Sequence, residues 1–267
     1  VPKLNYPVIR PAQKLYNHLR ISLLFCRHYL KSRRLEGLAE VDPDRLVGII
    51  SSVEPIRSTL LQDDTLIQKT DHGAGSLLTT IETPVSAIAR SAVSPRYKCQ
   101  ILYRIAASIA PRRILELGSS LGISTLYLSH LDSCEQLTTI EGDPAIHAIA
   151  SRQNHDSRIS WQQMTFDKGI AIAEEAGAVY DLIYIDGHHD GAATLDYIER
   201  CQRLLSATGM IIIDDIYWSA DMLDAWRRLS MDESYVECTD YFFFGVLSRS
   251  RTRSGAPVAS IRPFSLI

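Results

Sequence analysis

From residue 95 onward the chain repeats one rhythm: a short apolar run, a turn, then a segment with apolar residues at helical spacing. Apolar runs at 114–115, 136–140, 159–162, 179–185 and 210–213 read as five strands. The run 179–185 is nearly continuous, the pattern of a strand buried on both faces. Helices read at 95–109, 123–131, 145–153, 170–176, 194–205 and 222–229, the first carrying Ile101, Leu102, Ile105 and Ile109 at helical spacing. Segments 235–239 and 241–248 read as a closing hairpin. Such alternation predicts an α/β domain over 95–250, doubly wound around a mainly parallel sheet.

Residues 1–94 read differently, as a helical extension. Segment 12–35 sets Leu15, Leu19, Leu23 and Leu30 among basic residues, and would pack on the main domain or on a second subunit of a homodimer. Asp42-Pro43 has the form of a helix start, Asp as N-cap and Pro at the first position, with a helix running through Leu46, Val47 and Ile50 to Val53. The polar stretch 65–83 contains His72-Gly73-Ala74-Gly75-Ser76 and reads as a loop, either a lid over the site or a plain linker. A short helix is expected at 82–92, and 251–267 is a tail.

Composition changes this picture little. A net charge of -3 over 267 residues gives no reason to expect a nucleic-acid partner. The charge is uneven: no acid precedes Glu36, whereas Lys3, Arg10, Lys14, Arg20 and Arg27 are basic, a distribution that usually marks a solvated face. Five widely spaced cysteines without zinc-type or C-x-x-C spacing read as reduced thiols, and the expected compartment is cytoplasmic. No apolar run is long enough to span a bilayer, and the apolar stretch 21–25 lacks the cleavage site of a signal peptide.

The chemistry centres on 114–125, ILELGSSLGIST: strand, glycine turn, helix. Gly118 permits the sharp turn and Gly122 a close approach to the helix start. Ser120 stands where a dinucleotide fingerprint has its middle glycine, which argues against a pyrophosphate ligand and an NAD-dependent oxidoreductase. Glu116 would repel phosphate and suits a ligand with a positive centre, while free N–H groups beyond the turn favour a carboxylate. The methionyl part of S-adenosylmethionine has both groups. On these residues the chain resembles the class I S-adenosylmethionine-dependent methyltransferases, and ELGSSLG is similar to the catechol-type O-methyltransferase form of their first motif.

Glu141, ending the second strand, can accept both ribose hydroxyls, with an N-terminal helix charge as the alternative. The resemblance implies that 164–167 flanks the adenine, with Phe166 or Met164 on the ring and Thr165 or Asp167 at its polar edge. Two further strand ends carry acids: IDGHHD leaves Asp186, His188 and His189, and IIIDDIYW leaves Asp214 and Asp215. In neighbouring parallel strands these carboxylates converge beside the cofactor, and a divalent cation is the ordinary way to hold them.

The resemblance implies Mg²⁺ or another divalent metal on Asp186, Asp214 and Asp215, with Asp215 in place of the family's Asn. It also puts His189 where those enzymes carry a lysine base. An imidazole can accept a hydroxyl proton, so His189 or His188 would be the base, with Asp186 beside it. Tyr217 and Trp218, directly after Asp215, would line the pocket of a small acceptor. The whole chain is similar to a bacterial group of such methyltransferases with a helical N-terminal extension, and the implied activity is methylation of an oxygen. A non-catalytic S-adenosylmethionine-binding protein is the rival from another class.

Overall fold

The computed structural model describes residues 38–70 and 80–250, with side chains from 38–70 and 82–250. The basic segment 12–35, residues 71–79 of the expected lid and the tail 251–267 lie outside the described residues. Helix α1 (Pro43–Leu60) starts as expected: Asp42 caps it, its side chain accepting from Asp44 N at 3.0 Å. The helix continues past Val53 to Leu60 with Pro55 inside it.

The stretch expected to be a loop instead holds two strands, β1 (Leu66–Thr70) and β2 (Thr80–Pro84), paired antiparallel from Leu66 opposite Pro84 to Thr70 opposite Thr80. Their mixed Ile, Thr, Gln and Glu composition gives no continuous apolar run, which is why the pattern hides them. Helix α2 (Val85–Ala92) then begins three residues later than its expected start, because β2 takes Thr80–Pro84.

Helix α3 (Arg96–Ala107) leads into a seven-stranded sheet. Its members are β3 (Arg113–Leu117), β4 (Gln136–Glu141), β5 (Ile159–Gln163), β6 (Tyr180–Ile185), β7 (Leu205–Asp214), β8 (Glu237–Asp240) and β9 (Phe244–Ser248). The order is β5-β4-β3-β6-β7-β9-β8; the first five pair in parallel and β9 runs antiparallel to both neighbours. Between the strands run α4 (Ile123–Ser129), α5 (Pro144–Ala150), α6 (Phe166–Glu175), α7 (Gly191–Leu204) and α8 (Ala220–Leu229). The expected doubly wound α/β fold, with a mainly parallel sheet and a closing hairpin, is therefore present.

Strand parity explains where chemistry can sit. Ile114, Leu182, Tyr184, Met210 and Ile212 share one core with α1 to α4, whereas Leu115, Leu117, Ile183, Ile185, Ile211 and Ile213 share another with α6 to α8. Continuing the alternation, Glu116, Asp186 and Asp214 fall in step with the first set, on the face that α3 covers.

The candidate active site

The glycine turn is fixed by sterics. Gly118 has φ +101°, and a Cβ there would lie 1.8 Å from the backbone oxygen of Asp186. Gly122 has φ +86°, and its Cβ would meet the Trp161 ring at 2.9 Å. Both positions admit only glycine without rearrangement. Beneath the turn, Glu116 is fully buried and accepts hydroxyl hydrogen bonds from Ser124 at 2.6 Å, Thr125 at 2.5 Å and Thr139 at 2.6 Å. Burial raises its pKa and the three hydroxyls work against that rise. Glu116, expected to meet a ligand's positive centre, here has its oxygens bonded inside the protein, where they tie α4 and β4 to the turn.

Glu141 is only half-buried at the end of β4. Its Oε2 accepts from Ser120 N at 3.0 Å and its Oε1 from Asp143 N at 2.9 Å. Each oxygen keeps a lone pair for a further donor. The Asp143 carboxylate caps α5 through Ala145 N and Ile146 N, and also accepts from Thr70 N at 2.5 Å, so β1 is joined to the same corner. Among the described residues, the hydroxyls of Ser119 and Ser120 have no hydrogen-bond partner. A ligand bearing vicinal hydroxyls and an anionic group fits this donor and acceptor set.

Phe166 opens α6 and packs under the adjoining crevice wall, where its ring carbons would meet a Cβ at Gly187 at 2.7 Å. Thr165 is the N-cap of that helix, accepting from Lys168 N at 3.4 Å. Asp167 is drawn outward into an ion pair with Arg200 at 3.0 Å, so it does not serve as the cap.

Strain gathers at the strand ends. Six non-glycine residues among those described have positive φ, and four of them, Ser120, His188, His189 and Asp215, follow the carboxyl ends of β3, β6 and β7. Each such conformation costs on the order of 1 kcal/mol or more, and persists where the surroundings over-determine it. Successive left-handed residues send the two histidines apart. His188 Nδ1 lies 2.7 Å from the Tyr197 hydroxyl, and its ring contacts Phe166. His189 turns to the crevice mouth, its Nε2 3.8 Å from Asp186 Oδ1 and its ring 5.3 Å from that of Trp218. The Tyr217 hydroxyl donates to Asp240 at 2.6 Å, and the ring stacks on Phe242, which makes it a wall rather than a free donor.

Asp186, Asp214 and Asp215 do meet, but around a group the sequence reading passed over. Lys98 of α3 is 6% exposed and donates to Asp214 Oδ2 at 2.8 Å and Asp215 Oδ1 at 2.7 Å. Tyr184 donates to Asp186 at 3.0 Å. Burial works to lower the ammonium's pKa, but Asp214, Asp215 and Asp186 outweigh it and the net shift is upward. Asp214, fully enclosed and beside Asp186, is pushed well above the carboxylate range despite Lys98. Asp186 rises to about 6, driven by burial, with Lys98 pulling it down and Asp215 pushing it up.

This arrangement does not fit the expected metal. An ion bridging Asp214 and Asp215 would bind their oxygens at about 2.0–2.6 Å, in the gap the ammonium fills, and would meet a like charge there. Among the described residues no group of three His, Cys, Asp or Glu side chains is arranged to hold a metal ion. The three carboxylates expected as a ligand set are here engaged by Lys98 and Tyr184. A lysine on a helix stripe was the available signal: Lys98 precedes Leu102 by one turn and Ile105 by two.

The fold is that of the class I methyltransferases, and residues 115–216 match the family described as "Methyltransferase domain". Mouse catechol O-methyltransferase domain-containing protein 1 is 27% identical over 150 residues, which cover 53% of this chain and 54% of the mouse protein. The catechol O-methyltransferase of Mycobacterium tuberculosis is 28% identical over 163 residues, 60% of this chain and 68% of that protein. Among solved structures, a methyltransferase of Podospora anserina bound to SAH superposes with a TM-score of 0.54 at 17% identity, covering 93% of this chain and 99% of that one. Residues 115–216 are therefore similar to a methyltransferase-domain family, and the fold is shared with a methyltransferase solved with SAH bound. It spans about half the length of the mouse relative it matches.

Proposed function

We propose that this domain transfers the methyl group of S-adenosylmethionine to an oxygen of a small hydroxylated acceptor. The observation that carries the reading is Glu141, a half-buried carboxylate with spare lone pairs, tied to the glycine turn through Ser120 N. Glu141 would take the ribose hydroxyls, Ser119, Ser120 and the turn the carboxylate end, and Phe166 with Thr165 the adenine side. Bound there, the sulfonium cofactor supplies an electrophilic methyl group.

The chain's own part is to orient and to move a proton. His189, lying between Asp186 and Trp218, would take the acceptor's hydroxyl proton on Nε2. Trp218, 36% exposed, offers a flat apolar wall for the acceptor. His188, held against Tyr197 and Phe166, shapes the adenine side rather than acting as base. Most of the rate would come from positioning, because in-line transfer needs the oxygen held close to the methyl carbon.

Among the described residues no helix is long and apolar enough to cross a membrane. Cys99, Cys134, Cys201 and Cys238 are free thiols, which supports a reducing, cytoplasmic setting. The activity is tested by incubating the protein with S-adenosylmethionine and a panel of phenols and other small alcohols, measuring S-adenosylhomocysteine release. Cofactor binding without release on any hydroxylated acceptor would favour the non-catalytic alternative.

A further inference from the structure

We propose that Lys98 is the resident cation of this site, standing where catechol-type relatives would place a divalent ion. Three carboxylates from two adjacent strand ends, Asp186, Asp214 and Asp215, converge on the face covered by α3. Uncompensated, such a group would be strongly unfavourable in a buried setting. Lys98 reaches it from a helix 116 residues away in sequence from Asp214, with both carboxylate contacts under 3 Å.

The pocket around the ammonium is built for a cation. Its Nζ lies 5.9 Å from the centroid of Phe243 and 5.6 Å from that of Phe244, so ring faces as well as carboxylates stabilise the charge. The backbone supports the same geometry: Asp215 is held at φ +49°, and its N–H donates to Phe243 O at 2.8 Å. An ammonium differs from a metal ion in what it offers. It donates hydrogen bonds and carries one charge, but has no exchangeable coordination positions for substrate oxygens. Lys98 is thus a positioning residue that organises the carboxylates while closing the site to metal.

The inference concerns the charge cluster and stands whether or not methyl transfer is the reaction. Its test uses Mn²⁺ alone, followed by the loss of the free-ion paramagnetic resonance signal, on the full chain. Wild type, Lys98→Ala, Asp214→Ala and the double variant are compared, with circular dichroism as the check on folding. Wild type is expected to show no uptake attributable to the cluster. Lys98→Ala should bind one ion per chain at least ~10-fold more tightly than wild type, and the added Asp214→Ala should abolish that gain. Should the alanine variant not fold, Lys98→Gln makes the same comparison, since it removes the charge and keeps the length. Wild-type uptake that Asp214→Ala removes would overturn the proposal, and so would a folded Lys98 variant with no gain in Mn²⁺ affinity.

Discussion

The backbone N–H of Ser120 donates to Glu141 Oε2 at 3.0 Å, so the turn after β3 and the end of β4 form one unit. Ser120 is also one of the few non-glycine residues held at positive φ, which aims its N–H at that carboxylate. The contact links two sequence motifs 21 residues apart. It makes Glu141 a turn anchor whose remaining lone pairs are the ones proposed to take a ribose.

Removing that carboxylate should therefore affect binding more than folding. Charge-assisted hydrogen bonds contribute about 1.5–3 kcal/mol, so Glu141→Ala is expected to weaken S-adenosylmethionine binding by roughly 10- to 100-fold. Calorimetric titration reads this directly, and thermal unfolding shows whether the fold is intact. Unchanged affinity would mean that Glu141 serves only the turn.

Gly118 and Gly177 make a matched pair for backbone strain. Both have positive φ, but a Cβ at Gly118 would collide with Asp186 O, whereas nothing lies within 4 Å of one at Gly177. Gly177→Ala should cost about 1 kcal/mol, the price of the left-handed conformation alone. Gly118→Ala should cost clearly more and abolish cofactor binding. Equal losses in thermal stability would show that the turn can move away from β6.

The two histidines should separate kinetically. His189→Ala is expected to lower kcat by about 10²–10⁴-fold on any acceptor, with S-adenosylmethionine affinity unchanged, as for loss of a general base. His188→Ala should leave kcat less affected and alter cofactor affinity, because it faces Phe166 and Tyr197. The reverse pattern would reassign the base.

The folded-state value of Asp186, about 6, lies above the ~3.9 of an unfolded aspartate. Between the two, the native state binds more protons than the unfolded chain, so this group's contribution to stability declines as pH rises from ~4 to about 6. Asp186→Asn should flatten that part of the profile, measured as melting temperature against pH. If the slope survives in the Asn variant, another group carries it.

The order of strands and helices was legible because each buried strand is a short apolar run and each helix has a clear stripe. The strands β1 and β2 were not, since a ribbon of LIQKT and TIETP mixes apolar and polar residues too evenly to carry such a run. The strand-end acids were legible by the same logic that found the strands. What the acids meet was not, because the cation comes from a helix far earlier in the chain, and a lysine on an apolar stripe looks like a solvated residue until α3 is seen covering the sheet. Glu116 shows the converse: its place in the motif was plain, but only Ser124, Thr125 and Thr139 together reveal that its charge points inward. The histidine pair could not be divided from sequence, since the division rests on two successive left-handed residues.

The central claim is that the crevice at Gly118, Ser120 and Glu141 binds S-adenosylmethionine, and calorimetric titration of that compound into the protein, with Mg²⁺ and then with a chelator, tests it most directly. The account predicts one site per chain, the same affinity in both buffers, and binding weakened roughly 10- to 100-fold in Glu141→Ala. Absence of binding by folded protein would contradict it, and binding that requires Mg²⁺ would contradict the place given to Lys98.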